Sequence, residues 1–184
     1  NAGEAANVTA IDDGPDWNVD TAGSPSQYHN GVGETSDYSD QSITVDGSVP
    51  ATTPAAVFES ARWDPSGGEE MQWDFPVQSG ETYEVRLYFA EIYETADGQR
   101  EFDVSVENDL VLDNYDIHAD VGHDTGVMKS FTMTPSDSTL DIDFDHVTNN
   151  PKVSAIEVVS TTSTDNTAPT ASFTYSPTSP APDE

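Results

Sequence analysis

The sequence contains no cysteine, so neither a disulfide nor a thiolate metal site contributes to its fold or chemistry. Basic residues are almost as scarce. Arg62, Arg86, Arg100, Lys129 and Lys152 are the 5 cations, against 35 Asp and Glu, for a net charge of −30. With no basic patch, nucleic acid and anionic membrane surfaces are poor partners. No apolar run reaches the ~18 residues that cross a bilayer, so no membrane insertion is expected. No leader-like segment precedes Asn1, so the chain reads as a mature or excised piece. A G-x-S-x-G elbow, an H-E-x-x-H pair and a phosphate-cradling glycine loop are all missing. Glu91 and Glu94 could pair as acid and base, but a chain with 35 acids yields such pairs by chance. No enzymatic activity and no catalytic residue are expected.

What the chain does have is acid spread along its whole length. Like charges on a compact body repel one another and destabilise it. Molar salt shortens the Debye length to about 3 Å and removes most of that repulsion. An excess this far beyond what solubility needs predicts adaptation to very high salt. The 7 Phe, 7 Tyr and 3 Trp argue for a folded domain, and 184 residues suffice for one domain plus a tail.

Patterning centres on Arg86 to Val106. Val85, Leu87 and Phe89 alternate with Glu84, Arg86 and Tyr88, and Phe102, Val104 and Val106 alternate with Asp103 and Ser105. That is the period of half-buried strands. Between the two strands, Tyr93 to Gly98 carries turn chemistry, ending in Asp-Gly. Residues 1–11 read as a short first strand. From Asp12 to Tyr38 the chain is loop-like, with Trp17, Tyr28 and Tyr38, and its length points to a functional loop region. Further apolar segments lie at Ile43–Val49, Ala55–Ala61 and Met71–Val77, where Pro76 suggests an edge position. Others follow at Leu110–Leu112, Val127–Met133, Leu140–Phe144 and Val153–Val159. Strands every 10 to 15 residues or so, with turns between them and no helical period, predict an all-β antiparallel sandwich. It is expected over residues 1–160, followed by a Ser, Thr and Pro-rich linker over 161–169.

Several residue clusters are candidates for chemistry. Asp141, Asp143 and Asp145 with His146 could suggest a cation site, but alternate positions on one strand face lie about 7 Å apart. A solvated acidic face is the simpler reading. Asp116, His118, Asp120, His123 and Asp124 form a denser group, without the spacing of a catalytic zinc site. No metal site or cofactor is expected; a structural ion there would be calcium or sodium. Asn7-Val8-Thr9 is a glycosylation sequon, compatible with export but common by chance. The loop aromatics Trp17, Tyr28, Tyr38 and Tyr93, with the amides Asn149 and Asn150, suit carbohydrate. Aromatic faces pack on pyranose C–H groups, and amides and carboxylates hydrogen-bond hydroxyls. The same aromatics could equally cap the sandwich.

Several segments, in order along the chain, match one family. They are Asn1-Ala2-Gly3, Glu59-Ser60-Ala61-Arg62-Trp63, Phe89-Ala90-Glu91-Ile92-Tyr93, Phe102-Asp103-Val104, Leu112 to Ile117, Val121-Gly122-His123 and Asn150 to Ile156. From Asn1 to about Val159 the chain resembles the malectin domain. The resemblance implies a jelly-roll-like β-sandwich that binds carbohydrate through loop aromatics and a carboxylate just before the Asn-Pro. It also implies an extracellular or cell-surface location, with a glucose-containing oligosaccharide or surface glycan as partner. Trp17 stands at a family tyrosine, Tyr38 falls in a matching Ser-Asp-Tyr, and Tyr93 matches the tyrosine after Phe-Ala-Glu. At two positions this chain departs: Glu94 replaces an aromatic and Asn149 replaces the acid. The resemblance also makes His123 a structural loop histidine. Expected carbohydrate contacts are therefore Trp17, Tyr38, Tyr93, Glu94 and Asn149. The alternative is a structural or adhesive module that self-assembles through neighbouring domains in a filament, stalk or surface layer. Residues 170–184 resemble the opening of a second β-sandwich of the polycystic-kidney-disease (PKD) type.

Overall fold

The computed structural model describes residues 2–3, 6–11 and 14–161. The PKD-like segment, and the linker beyond Thr161, lie outside the described residues. In chain order the elements are β1 (Glu34–Asp37), β2 (Thr44–Val45), a 3-10 turn (Ala55–Phe58), β3 (Ser60–Trp63), β4 (Met71–Pro76), β5 (Tyr83–Ala90) and β6 (Glu101–Val106). They continue with β7 (Asp109–Tyr115), α1 (Ile117–Val121), β8 (Thr125–Met133), β9 (Thr139–Thr148), β10 (Lys152–Val153) and β11 (Ala155–Ser160).

Two four-stranded sheets, ordered β11-β5-β8-β2 and β4-β9-β6-β7, carry the core, and a three-stranded sheet β1-β3-β10 lies beside them. Pairing is antiparallel except between β2 and β8. The predicted apolar faces meet. Val85, Leu87 and Phe89 of β5 pack with Phe102, Val104 and Val106 of β6 and Leu140, Ile142 and Phe144 of β9, all fully buried. Burial of each such side chain contributes about 1.5–3 kcal/mol. The all-β antiparallel sandwich read from the alternation is the observed architecture. Pro76 ends β4, which is indeed an edge strand and so lacks a ladder partner on one side. No helix among the described residues is long and apolar enough to cross a membrane.

Three local expectations are corrected. Among the described residues of 1–11 no strand forms; Ala2 and Val8 make isolated bridges to Asp20 and Trp17. Gly3 explains the geometry of the opening, with φ +112° and its α-carbon so close to β3 that a side chain would meet the Ala61 nitrogen at 2.6 Å. Tyr88, read as part of a polar outer face, is 0% exposed. The turn carrying Phe58 and the segment carrying Trp17 cover that end of β5 and form a second, smaller core with it. Finally, α1 appears where no helix was expected. Five residues are too short to show a helical period, and local chemistry makes the turn. Asp116 caps its start by accepting from the Ala119 N–H at 3.0 Å, and Gly122, at φ +80°, ends it.

Candidate functional site

The small sheet, the β5–β6 loop and the β9–β10 loop enclose a cavity of about 530 Å³. Its floor follows from strand register. Trp63 lies opposite both Glu34 and Lys152, and Ser36 lies opposite Ala61. Paired residues share a sheet face, and so do residues two apart on one strand. Ser36, Trp63 and Lys152 therefore line the cavity together, with Tyr38 just beyond the end of β1. Gly33, at φ +90°, lets β1 start this close: a side chain there would meet the Trp63 carbonyl at 2.7 Å.

The opposite wall is the β5–β6 loop, and a buried carboxylate holds it. Glu91, 1% exposed, closes β5 and turns its side chain back under the loop that follows. Its Oε1 accepts from the backbone N–H groups of Ile92, Tyr93 and Glu94 at 3.0–3.1 Å. Its Oε2 accepts from Arg100 Nε at 2.7 Å. Burial opposes its ionisation, but the charges of Lys152 and Arg100 and the loop N–H groups prevail, and its carboxyl falls to about 2. On this staple stands Tyr93, 74% exposed. Arg100 also donates to the Asn150 carbonyl and lies 3.9 Å from Glu94, tying the two loops together.

Asn149, at φ +63°, adopts a left-handed conformation that asparagine tolerates well. Its Nδ2 donates to Glu94 Oε1 at 2.7 Å and to the Gln99 carbonyl at 3.3 Å. The two positions at which this chain departs from the family pattern are thus partners. An acid at 149 would face the Glu94 carboxylate; an amide there bonds it. The cavity keeps one carboxylate on its wall, carried by the other loop.

Lys152 is the least conventional member. It is 1% exposed, its Nζ lies 4.8 Å from the centre of the Tyr38 ring, and it has no partner in good hydrogen-bonding geometry among the described residues. Burial pulls its pKa down; Glu91 and Tyr38 favour the charge. Trp63 Nε1, in the same wall, is also buried without a partner.

Of the sequence-derived candidates, Tyr38, Tyr93, Glu94 and Asn149 come together here. Trp17 does not. It lines a separate cavity of about 240 Å³ with Tyr28, Phe75, Arg86 and Glu157, and its ring packs edge-on against Tyr88 at 5.3 Å. Four residues lining the site were not singled out from sequence: Ser36, Trp63, Arg100 and Lys152. Scarcity was the available signal, since 5 cations among 184 residues make every buried one conspicuous.

The other clusters resolve into local pairs. Asp141, Asp143 and Asp145 face outward, and burial and repulsion from neighbouring carboxylates raise the pKa of all three. His146 turns away from them, with Nδ1 2.7 Å from Glu70 and Nε2 3.0 Å from the Asp64 carbonyl oxygen. Asp64, Glu70 and His146 form a compact trio, but both imidazole nitrogens are engaged by protein oxygens. In the second cluster, His118 meets Asp97 at 2.7 Å, Asp120 meets Lys129 at 2.7 Å, and His123 meets Asp124 at 2.9 Å. The His123 backbone bridges to Glu91, which fits a structural role.

The chain matches the Malectin domain family over residues 1–156. No curated protein matches it. Among solved structures it is similar to the complex of plant peptide RALF23 with FER and LLG2, with a TM-score of 0.70 and 20% identity over 82% of this chain and 44% of that one. The plant receptor-like kinase ANX1 gives a TM-score of 0.70 and 16% identity at the same coverage. The ANX2 ectodomain from Arabidopsis thaliana gives 0.65 and 19%, over 72% of this chain and 41% of that one. This chain thus spans less than half the length of those it matches.

Proposed function

This chain belongs to the malectin-domain family, and from that membership we propose that it is a non-catalytic carbohydrate-binding module. It serves a secreted or cell-surface, salt-adapted multidomain protein, and the Tyr38–Tyr93 cavity is its site. The observation that carries the reading is Tyr93, an exposed aromatic ring on a loop whose backbone Glu91 fixes in place. A large ring held out on a rigid loop offers a preorganised stacking face at little conformational cost. Pyranose C–H faces stack on Tyr93 and Tyr38, while Glu94 and the amides of Asn149 and Asn150 bond hydroxyls. Trp17, in the other cavity, is outside this platform. Affinity in the millimolar to micromolar range is expected, about −4 to −8 kcal/mol.

The test is titration of glucose oligosaccharides and a panel of surface glycans in molar NaCl. Binding that weakens about tenfold in Tyr93→Ala supports the reading; no binding to any glycan sinks it. A peptide ligand is the competing reading, because RALF23 is a peptide in one structure of this fold. A purely structural or adhesive module is the other, and it would assemble normally with Tyr93 removed.

A further inference from the structure

We infer that the saccharide bound in this cavity is acidic, with its carboxylate or sulfate held at the Lys152 end. The inference rests on the carbohydrate reading above and narrows its ligand class. Its starting point is where the few cations are. In a chain of net charge −30, this cavity is lined by Arg100, Lys152 and Glu94, and with the buried Glu91 behind Arg100 its charges balance. The Trp17 cavity is net acidic, with Asp16, Asp20 and Glu157 against Arg86.

The charged groups around the Tyr38–Tyr93 cavity are not equally available. Glu91 uses both oxygens within the protein, Arg100 is engaged by Glu91 and the Asn150 carbonyl, and Glu94 is bonded by Asn149. The Lys152 ammonium has three donors and, among the described residues, no acceptor in good hydrogen-bonding geometry, although Glu91 and Tyr38 favour its charge. A buried cation without a hydrogen-bond partner carries a large desolvation penalty. A neutral hydroxyl near it leaves that penalty standing; an anion near it offsets the penalty by direct charge attraction. Trp63 Nε1, also unpartnered, is a second donor in the same wall. The acid need not displace the Tyr38 ring, because a charge across a low-dielectric wall still acts at a few ångströms. Burial matters for a second reason: molar salt screens surface attraction but screens buried pairs much less. Elsewhere the acidic surface repels an acidic chain.

The experiment is calorimetric titration in molar NaCl with three probes of matched length: maltotriose, a glucuronate-terminated glucose trisaccharide and a sulfated maltotriose. The unmodified chain should bind at least one acidic probe about tenfold more tightly than maltotriose, equivalent to about 1.4 kcal/mol. Which acidic probe gains separates carboxylate from sulfate. In Lys152→Met the ratio of acidic-probe to maltotriose affinity should fall from about ten to about one, whatever the variant's affinity for maltotriose itself. If that variant does not fold, the three-probe comparison on the unmodified chain decides by itself. Equal or weaker binding of both acidic probes, with maltotriose bound, overturns this inference and leaves the carbohydrate reading standing. Binding of none of the three, nor of any glycan on the panel, overturns both.

Discussion

The two cavities of this domain differ in how they are built. The Trp17 cavity lies between the edge strands β4 and β11, covered by the segment around residue 17. Its aromatics also serve the core: Tyr28 stacks on Phe75 at 5.1 Å and Trp17 meets Tyr88. The Tyr38–Tyr93 cavity draws on two loops and one face of the small sheet. A buried carboxylate and guanidinium hold its walls, and its foremost ring, Tyr93, packs on no other ring among the described residues. In the first cavity the aromatics do structural work. In the second, ion pairs hold the structure and leave an aromatic free. The comparison teaches that loop aromatics of equal promise in a sequence divide by what else is available to hold the loop.

The largest effect should come from the staple. Glu91→Gln leaves Arg100 without its buried partner and weakens the loop bonds, so urea unfolding should show a loss of about 3 kcal/mol, with sugar binding lost as well. A Glu91→Gln chain that still binds would mean that the wall does not depend on this residue. The carboxyl lies at about 2 in the folded chain against an ordinary 4.5. A depressed carboxylate stabilises above its unfolded pKa, so this contribution is complete above about pH 4.5 and disappears as pH falls towards 2. Asp141, Asp143 and Asp145 have the opposite sign. Their raised pKa values mean that mild acidification relieves their repulsion and adds stability. Melts across pH 2–7 should rise slightly on mild acidification and then collapse, and the collapse should be shallower in Glu91→Gln.

Next comes a crossed pair. Trp17→Ala should cost about 2 kcal/mol of stability, below the range for a fully buried tryptophan because the residue is only partly buried, and leave sugar affinity unchanged. Tyr93→Ala should do the reverse, with about tenfold weaker binding and stability within about 0.5 kcal/mol. If both affect binding equally, the division between the cavities is wrong. A smaller effect tests the Glu94–Asn149 pair. Asn149→Asp should destabilise by about 1 kcal/mol through like-charge contact, and adding Glu94→Gln should recover most of it; independent, additive losses would show that the pair is not coupled. The smallest is global. Lowering NaCl from 1 M to 0.1 M should reduce the melting temperature by about 2–4 °C, as expected for roughly 1 kcal/mol in a chain of this size. An unchanged melt would refute salt adaptation.

Much of the fold was legible in the residues. The alternation at Val85–Phe89, Phe102–Val106 and Leu140–Phe144 becomes the facing sides of the two larger sheets, because strand period alone decides which side chains share a face. Tyr88 was not legible. Whether the outer face of a strand is wet depends on what lies over it, and here a turn and a segment distant in sequence do. The same limit applies to the site. Tyr93 could be singled out by its turn, but Lys152 sits in an apolar run, Lys-Val-Ser-Ala-Ile, where a lysine reads as an ordinary strand residue. Its burial comes from the register of β10 against β3, and its meaning from a tyrosine more than a hundred positions away.

By itself, then, the sequence determined the strand pattern, the acidic character and the resemblance to the family, since periodicity and composition are local and additive. Only the tertiary structure decided which aromatics share a cavity and where the charges go. It set Trp17 in a different cavity from Tyr93, joined Glu94 to Asn149, and placed Lys152 and Arg100 beside the same loops. The physical reason is range. Packing, burial and ion pairing depend on which residues meet in space, and a cation's cost or use is set by neighbours that the order of residues does not name.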